Sequence, residues 1–393
     1  MLNSALLSPW PHYENDEIDA VTTILKSGKV NYWTGELGKQ FEQTYAKSVE
    51  KKFGLALSNG TVALELALRA LEVGHGDEVI VASRSYVASA SCVLIVGATP
   101  IFADVDLESG NISAATIEPL ITAKTKAIIP VHVGGLPCDI PAIMALAKRY
   151  QIKVIEDCAQ AHGASIENIP VGGWGDAAIF SFCQDKIIST GGEGGLLVLN
   201  DEAAYKKAWA YKDIGRDYDA VYHQSHPPGF RWYTHSAGSN FRMTELQAAI
   251  GLLQLNKLPS WIERRTYIAN KLMQSLGKSS LIRFPKVSGA QVQHAYYRTY
   301  GVIYSEELTS SEIYQLREQL IALLNQAGVP CFQGSCSEIY LEKAFEKLYN
   351  GERLPNASQY SESAFCLLCH HTITDNELER MLELIETTII NWQ

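Results

Sequence analysis

The sequence predicts an α/β protein: a large domain with a mixed, mostly parallel sheet between helices, and a smaller C-terminal α+β domain. Three observations carry the prediction. Over the first two-thirds of the 393-residue chain, short apolar runs alternate with helix-patterned segments, the rhythm of βαβ units. The runs are strand-length and bounded by turn residues, as expected for strands buried within a sheet. The last two, "AAIFSF" and "GGLLVLN", have no helix-length segment between them, so the sheet need not be wholly parallel.

In chain order, "TVALELALRAL" is an amphipathic helix opening after Gly60, and "DEVIVAS", "TPIFADV" and "KAIIPVH" are buried strands. Residues 85–103 carry no charge, but Ser, Thr, Gly and Pro interrupt them, which predicts a buried helix and then a strand rather than a membrane span. "DIPAIMALAKRY" is a helix, followed by the strands "KVIEDCA", "AAIFSF" and "GGLLVLN". Residues 213–238 have no period and are rich in His, Pro, Gly and aromatics, the composition of a long functional loop. After "NFRMTELQAAIGLLQL" a long charged helix leads out through "SWIERRTYIANKLMQSL". We place the domain boundary there, with an N-terminal arm and large domain over 1–260 and the small domain over 261–393. The latter holds a strand "AYYRTYGVIY", a helix "SSEIYQLREQLIALLNQAG" stopped by Gly328, and a closing helix "NELERMLELIETTIINW".

Composition narrows the function. Hydrophobic residues make up 47% and charged residues 19%, which excludes a disordered chain. The net charge of −10 is spread along the chain, with no Lys/Arg block to hold nucleic acid. The first residues lack a basic stretch before an apolar one, so a cytoplasmic location is expected and the eight cysteines read as reduced core thiols. "CLLCHH" at 366–371 has the spacing of a haem attachment site, but it reads as an apolar strand with one loop histidine. No metal site is expected, because no Cys/His set has a recognised spacing.

The residues with chemical potential cluster around Lys186. In "FSFCQDKIISTGGEGG" this lysine sits between a strand and a glycine-rich turn, where it could bind phosphate, form a surface salt bridge or bond covalently to a carbonyl cofactor. "SNGTVALELAL" puts Gly60 and Thr61 at a helix N-terminus, which is either an anion site or an ordinary cap. "VIEDCAQAHG" ends a strand on Asp157 and continues to Gln160 and His162; the carboxylate could cap a helix, ligate a metal or pair with a protonated ring nitrogen. Tyr86 in "SRSYVASAS" offers an aromatic face beyond another strand, or simply packs.

Taken in order, "SGKVNYWTGELGKQFE", "SNGTVALELAL", "GDEVIVAS", "GATPIFADVD", "EDCAQAHGA", "FSFCQDK" and "GSNFRMTELQAAIGLLQL" cover almost the whole chain. This set resembles the DegT/DnrJ/EryC1/StrS family of sugar aminotransferases, pyridoxal-phosphate (PLP) enzymes of fold type I, the aspartate aminotransferase fold. The resemblance implies that Lys186 forms the Schiff base with the cofactor and that Asp157 partners its pyridinium nitrogen. It implies that Tyr86 stacks on the ring and Gln160 contacts it, while Gly60, Thr61 and Ser181 hold the phosphate. Asn240 in "GSNFRM" would reach the phosphate of a neighbouring subunit, which makes the expected assembly a homodimer with shared active sites. His162, His235 and Arg242 are candidate substrate residues. Where many members have His or Tyr after the "SF" pair, this chain has Cys183, Gln184 and Asp185. The stretch 331–345, "CFQGSCSEIYLEKAF", is expected to approach the substrate pocket.

The implied reaction moves nitrogen from L-glutamate to a keto or aldehydo sugar, the cofactor alternating with pyridoxamine phosphate. The acceptor expected is a nucleotide-linked keto-hexose of surface-polysaccharide synthesis. An unactivated oxo-sugar acid leading to an 8-amino-3,8-dideoxy-octulosonate is the alternative acceptor, which "RWYTHSAGSNFRMTE" resembles loosely. Two other classes compete: a pyridoxamine-phosphate sugar dehydratase, in which histidine replaces the lysine, and a non-catalytic PLP-binding regulator. Lys186 counts against the first, and the combination of Lys186, Asp157 and Tyr86 against the second.

Overall fold

The computed structural model describes residues 7–226, 233–334, 338–349 and 351–392. Arg231 and Trp232 of the loop singled out above, and residues 335–337 of the stretch 331–345, lie outside the described residues.

A seven-stranded sheet forms the centre, in spatial order Phe53–Leu57, Gly195–Leu199, Ala177–Ser181, Lys153–Asp157, Thr125–Ile129, Glu78–Ala82 and Thr99–Ala103. All neighbours pair in parallel except at Gly195–Leu199, which runs against both of its neighbours. The short connection that carries Lys186 explains this exception. It contains no crossover helix, and an antiparallel return is what such a link allows. Most strand residues are buried, consistent with helices on both faces.

Because six of the seven strands share one direction, the chain leaves Leu57, Ala82, Asp157 and Ser181 along the same edge of the sheet. The carboxyl edge of such a sheet is where ligands bind. The helix Gly60–Ala70 starts there, its N-cap Asn59 accepting from the Val62 N–H. It is less amphipathic than its sequence suggests. Leu64, Leu66, Leu68 and even Glu65 are buried, because it packs onto the strands Ala177–Ser181 and Gly195–Leu199 and against the helices Ala88–Ile95 and Glu202–Lys212.

A helix of 32 residues, Glu245–Leu276, leaves the large sheet and runs on beneath the smaller one. The sequence suggested a boundary near Trp261, yet the helix passes through it and through Pro259 without a break. A proline inside a helix costs about 3 kcal/mol. The buried face continues across it in Leu255, Trp261, Ile262 and Ile268, each contributing about 1.5–3 kcal/mol by leaving water. Four antiparallel strands follow, in spatial order Ile282–Arg283, Arg298–Ile303, Ala364–Leu368 and Cys331–Phe332. The helices Ser310–Gln326 and Asp375–Trp392 pack on them, the first closed by Gly328 at a φ of +93°.

Two local expectations are corrected. The stretch 213–238 is not loop throughout, since Asp217 caps a short helix, Tyr218–Tyr222, by accepting from the Ala220 N–H. Beyond the strand Ala364–Leu368 and Cys369, the connection carries two histidines that are packed into the structure rather than one loop histidine. His370 is buried, and His371 stacks on Trp261 at 3.9 Å between centroids. Cys92, Cys138, Cys158, Cys331, Cys366 and Cys369 are buried free thiols, and Cys183 is partly exposed. Among the described residues no helix is long and apolar enough to cross a membrane.

Candidate active site

The carboxyl edge of the sheet encloses a cavity of about 540 Å³. Its wall brings together Gly60, Thr61, Tyr86, Asp157, Gln160, Ser181 and Lys186, residues drawn from four separate strand ends. A second cavity of about 360 Å³ adjoins it on the side of the small sheet. Ser85, Tyr86, Gln160, Asp185 and Lys186 line both, so the lysine stands in their common wall.

Asp157 ends the central strand and is 5% exposed. One carboxylate oxygen accepts from the Ala159 N–H at 3.1 Å and the other from the Ser89 hydroxyl at 2.9 Å. Burial raises its pKa; those two donors and the Lys186 charge oppose the shift without cancelling it. A carboxylate left in that condition gains from a cation placed against it inside the cavity.

Lys186 is held by its backbone as well as by its surroundings. Its N–H donates to the Cys183 carbonyl at 3.0 Å, and its own carbonyl accepts from the Trp10 indole N–H at 2.9 Å. Its Nζ lies 3.5 Å from an Asp185 carboxylate oxygen and 4.9 Å from the centre of the Tyr297 ring. Asp185 in turn accepts from the Tyr297 hydroxyl and lies 3.9 Å from Arg298. Burial works to raise the Asp185 carboxyl, but Lys186, Tyr297 and Arg298 together hold it below its ordinary range.

Trp10 is edge-on to Trp261 and His371, at 5.6 and 4.7 Å between centroids, so the N-terminal arm packs behind the lysine turn. Replacing Trp10 by Phe keeps an aromatic ring there and removes the N–H donor. We expect about 1 kcal/mol lower stability and turnover reduced roughly 5- to 10-fold, since a turn that drifts misplaces Nζ. Thermal melting and initial rates check this, and unchanged rates would leave the arm with packing as its only role.

At the other end of the larger cavity, the first turn of Gly60–Ala70 faces Ser181. A Cβ on Gly60 would stand 2.8 Å from the Ser181 Cβ, so only glycine fits. With Val62 capped by Asn59, the Gly60 and Thr61 N–H groups open a positive helix end to the cavity beside the Ser181 hydroxyl. Tyr86 is 68% exposed, an uncovered aromatic face on the same wall. Gln160 accepts from the Gly134 N–H at 2.7 Å through its side-chain oxygen, which leaves its NH₂ end as the available donor.

Four candidates lie elsewhere. His162 is fully buried; its Nδ1 is 2.6 Å from the Tyr45 hydroxyl and its Nε2 2.9 Å from the Ser181 carbonyl, so both nitrogens are engaged beneath the site. Desolvation lowers its pKa to about 3, and it supports Ser181 instead of meeting substrate. Arg242 pairs with buried Asp213 and His235 lies 3.6 Å from Asp217, both outside the cavity walls of their own chain. Asn240 is exposed and pairs through its backbone with Asp213, also away from its own cavity.

The sequence reading missed Ser85, Ser89, Tyr297, Arg298 and Tyr300. Ser85 and Ser89 flank Tyr86 in "SRSYVASAS" but carry no chemical signature of their own, and the strand Arg298–Ile303 reaches the site only because the small sheet packs there. Phe332 and Gly334 of the stretch 331–345 line the smaller cavity, the approach expected of that stretch. Among the described residues one trio, His132, Glu156 and Cys158, brings metal-type ligand atoms within 4.8 Å of one another. Glu156 already accepts from the Gly172, Trp174 and Gly175 N–H groups and faces the His132 Nε2, while the His132 Nδ1 accepts from the Cys138 N–H. The trio is therefore an internally satisfied network under the sheet.

A lysine, a buried carboxylate, an aromatic face and a helix-end anion cup share one α/β crevice, and comparison with known proteins gives the class of enzyme, an aminotransferase. The chain belongs to the DegT/DnrJ/EryC1/StrS aminotransferase family, which it matches over residues 11–386. It is 37% identical over 364 residues to the GDP-perosamine synthase of Escherichia coli O157:H7, covering 91% of this chain and 93% of that protein. To the GDP-perosamine synthase of Caulobacter vibrioides it is 33% identical over 387 residues, 97% of each chain. The solved aminotransferase of Psychrobacter cryohalolentis superposes with a TM-score of 0.94 at 44% identity, covering 98% of this chain and 99% of that one. The architecture is thus fold type I.

Proposed function

We propose that this protein is a PLP-dependent aminotransferase that moves an amino group from L-glutamate to a keto sugar linked to a nucleotide. The observation that carries the reading is the position of Lys186 in the wall between two cavities. One has the fittings for the cofactor and the other has room for a sugar. The donor set suits PLP: a helix-end cup that a Cβ would fill, a buried carboxylate short of positive charge, and an uncovered tyrosine face. When bound, PLP supplies an aldehyde for amines and a ring that withdraws electrons from the substrate carbon.

The chain's own residues do the rest. Gly60, Thr61 and Ser181 would hold the phosphate and Tyr86 would offer its face to the ring. Asp157 would hold a proton on the ring nitrogen, and that positive charge would in turn bring the carboxylate's own pKa down. Nζ of Lys186 gives up and takes back a proton at the substrate carbon. Asp185, fixed by Tyr297 and Arg298, keeps Nζ directed to the seam. The nucleotide-linked acceptor rests on the likeness to two GDP-perosamine synthases. Surface-polysaccharide synthesis in the cytoplasm is the setting that such an acceptor implies.

The test is to supply purified protein with PLP, L-glutamate and a GDP-linked 4-keto hexose, and to follow 2-oxoglutarate release with the mass of the sugar product. Conversion is expected with that acceptor and not with an unactivated 8-oxo octulosonate. The reverse preference would overturn the nucleotide-sugar reading.

We further propose a homodimer, with Asn240 completing the phosphate cup of the partner. The reading is supported by the exposure of Asn240 and by its distance from the cavity walls of its own chain. Co-expressed Lys186→Ala and Asn240→Ala chains should then regain activity, approaching about a quarter of wild type under random pairing, because one site in each mixed dimer is intact. Asn240→Ala alone must first prove crippled for the test to count. Purified mixed dimers that stay inactive would return Asn240 to its own chain.

A further inference from the structure

Behind the second cavity lies a buried cation without an acid. Arg84 follows the strand Glu78–Ala82 and is 2% exposed. Its Nη1 donates to the Gly110 carbonyl at 3.2 Å, and its guanidinium lies over the Tyr300 and Tyr360 rings at 5.0 and 4.9 Å. Nε and Nη2 have no acceptor. Asp106, on the turn that leads to Gly110, is taken up by the Glu108 N–H and by the Ser109 N–H and hydroxyl. No carboxylate among the described residues forms an ion pair with Arg84.

Arg84 lines a separate internal cavity of about 40 Å³. A single water needs roughly 10–15 Å³ of such space, so a small ion fits. The wall contains no acidic side chain. Thr299, 1% exposed, has its hydroxyl against the Cys369 sulfur, a weak acceptor, and no oxygen or nitrogen partner. The His294 Nδ1 accepts from the Tyr296 N–H at 2.8 Å, which places the proton of the neutral ring on Nε2. Desolvation pulls the His294 pKa down to about 3, so that nitrogen is a donor at neutral pH.

We propose that this cavity is a binding site for a monovalent inorganic anion of halide size, held by Arg84 with Thr299 and His294 as neutral donors. Water could satisfy the N–H groups but would leave a buried charge uncompensated, which is the expensive condition. The site has a mechanical consequence. Arg84 precedes Ser85 and Tyr86, and Thr299 lies between Arg298 and Tyr300; all four neighbours line the substrate cavity. A bound anion therefore ties two walls of that cavity, one from each sheet.

Crystals of the full chain grown in sodium bromide and measured at the bromine edge should show an anomalous peak between Arg84 and Thr299. At constant ionic strength, replacing gluconate by bromide or chloride should raise the melting temperature by about 2 °C. Thr299→Val, which keeps the arginine, should flatten that response, and Arg84→Met should abolish it. If Arg84→Met does not fold, Thr299→Val and the bromide peak still decide. An empty cavity with equal melting in halide and gluconate overturns the proposal. So does a bromide peak without any halide dependence of melting, which would mark an adventitious ion only.

Discussion

Lys186→Ala is expected to fold as the wild type does and to lose amino transfer by about 10⁴-fold or more. Nζ is partly exposed to both cavities and supports no core packing, so circular dichroism and melting should change little. What disappears is the amine nucleophile together with the base that moves the proton. General acid–base catalysis alone is worth about 10²–10⁴-fold, and covalent catalysis adds to it. Added methylamine or ethylamine should restore a small part of the rate, since a free amine can take the place of the missing one. Turnover within about tenfold of wild type would remove Lys186 from the chemistry and with it the PLP reading.

Asp157→Asn carries the second large effect. The amide oxygen can still accept from the Ala159 N–H, and the NH₂ can donate to the Ser89 hydroxyl oxygen while that hydroxyl turns its proton to Ser85, so the strand end should keep its shape. It cannot offer a negative charge to a protonated ring nitrogen. Removing one partner of a buried charged pair costs about 2–5 kcal/mol, which corresponds to roughly 30- to 5,000-fold in rate. Cofactor should remain bound through the cup of Gly60, Thr61 and Ser181, so equilibrium dialysis separates a charge effect from a binding effect. Unchanged single-turnover kinetics with glutamate would reduce Asp157 to a turn-forming residue that serves Ala159.

Both expectations follow from where the sheet delivers its strand ends. The parallel arrangement puts Asp157, Ser181 and the chain before Gly60 on one edge, and the antiparallel return after Ser181 carries Lys186 back across it. The N-terminal arm and the small sheet then hold the lysine turn from outside, through Trp10 and through Tyr297 with Arg298.

Legible along the chain were the strands of the large sheet, the Gly60 helix start, the family and the place of Lys186 between a strand and a glycine-rich turn. These are local properties: apolar runs between turn residues, a cap before a helix, and ordered motifs. The tertiary structure decided the matters that depend on what lies across a contact. His162 stood in a motif beside Asp157, yet the chain reverses after the strand and buries its ring against Phe180 and Phe182, with both nitrogens engaged. Nothing local distinguishes Tyr297 and Arg298 from other residues at the start of a strand until the small sheet places them beside Asp185. Pro259 lies inside the long helix, where packing on both sides of it outweighs the local cost. Nothing along the chain marks Arg84 as buried; only three-dimensional packing leaves it 2% exposed with no ion-pair partner among the described residues. Periodicity and motif report a residue's neighbours along the chain, whereas burial and charge balance are set by residues that can lie more than two hundred positions away.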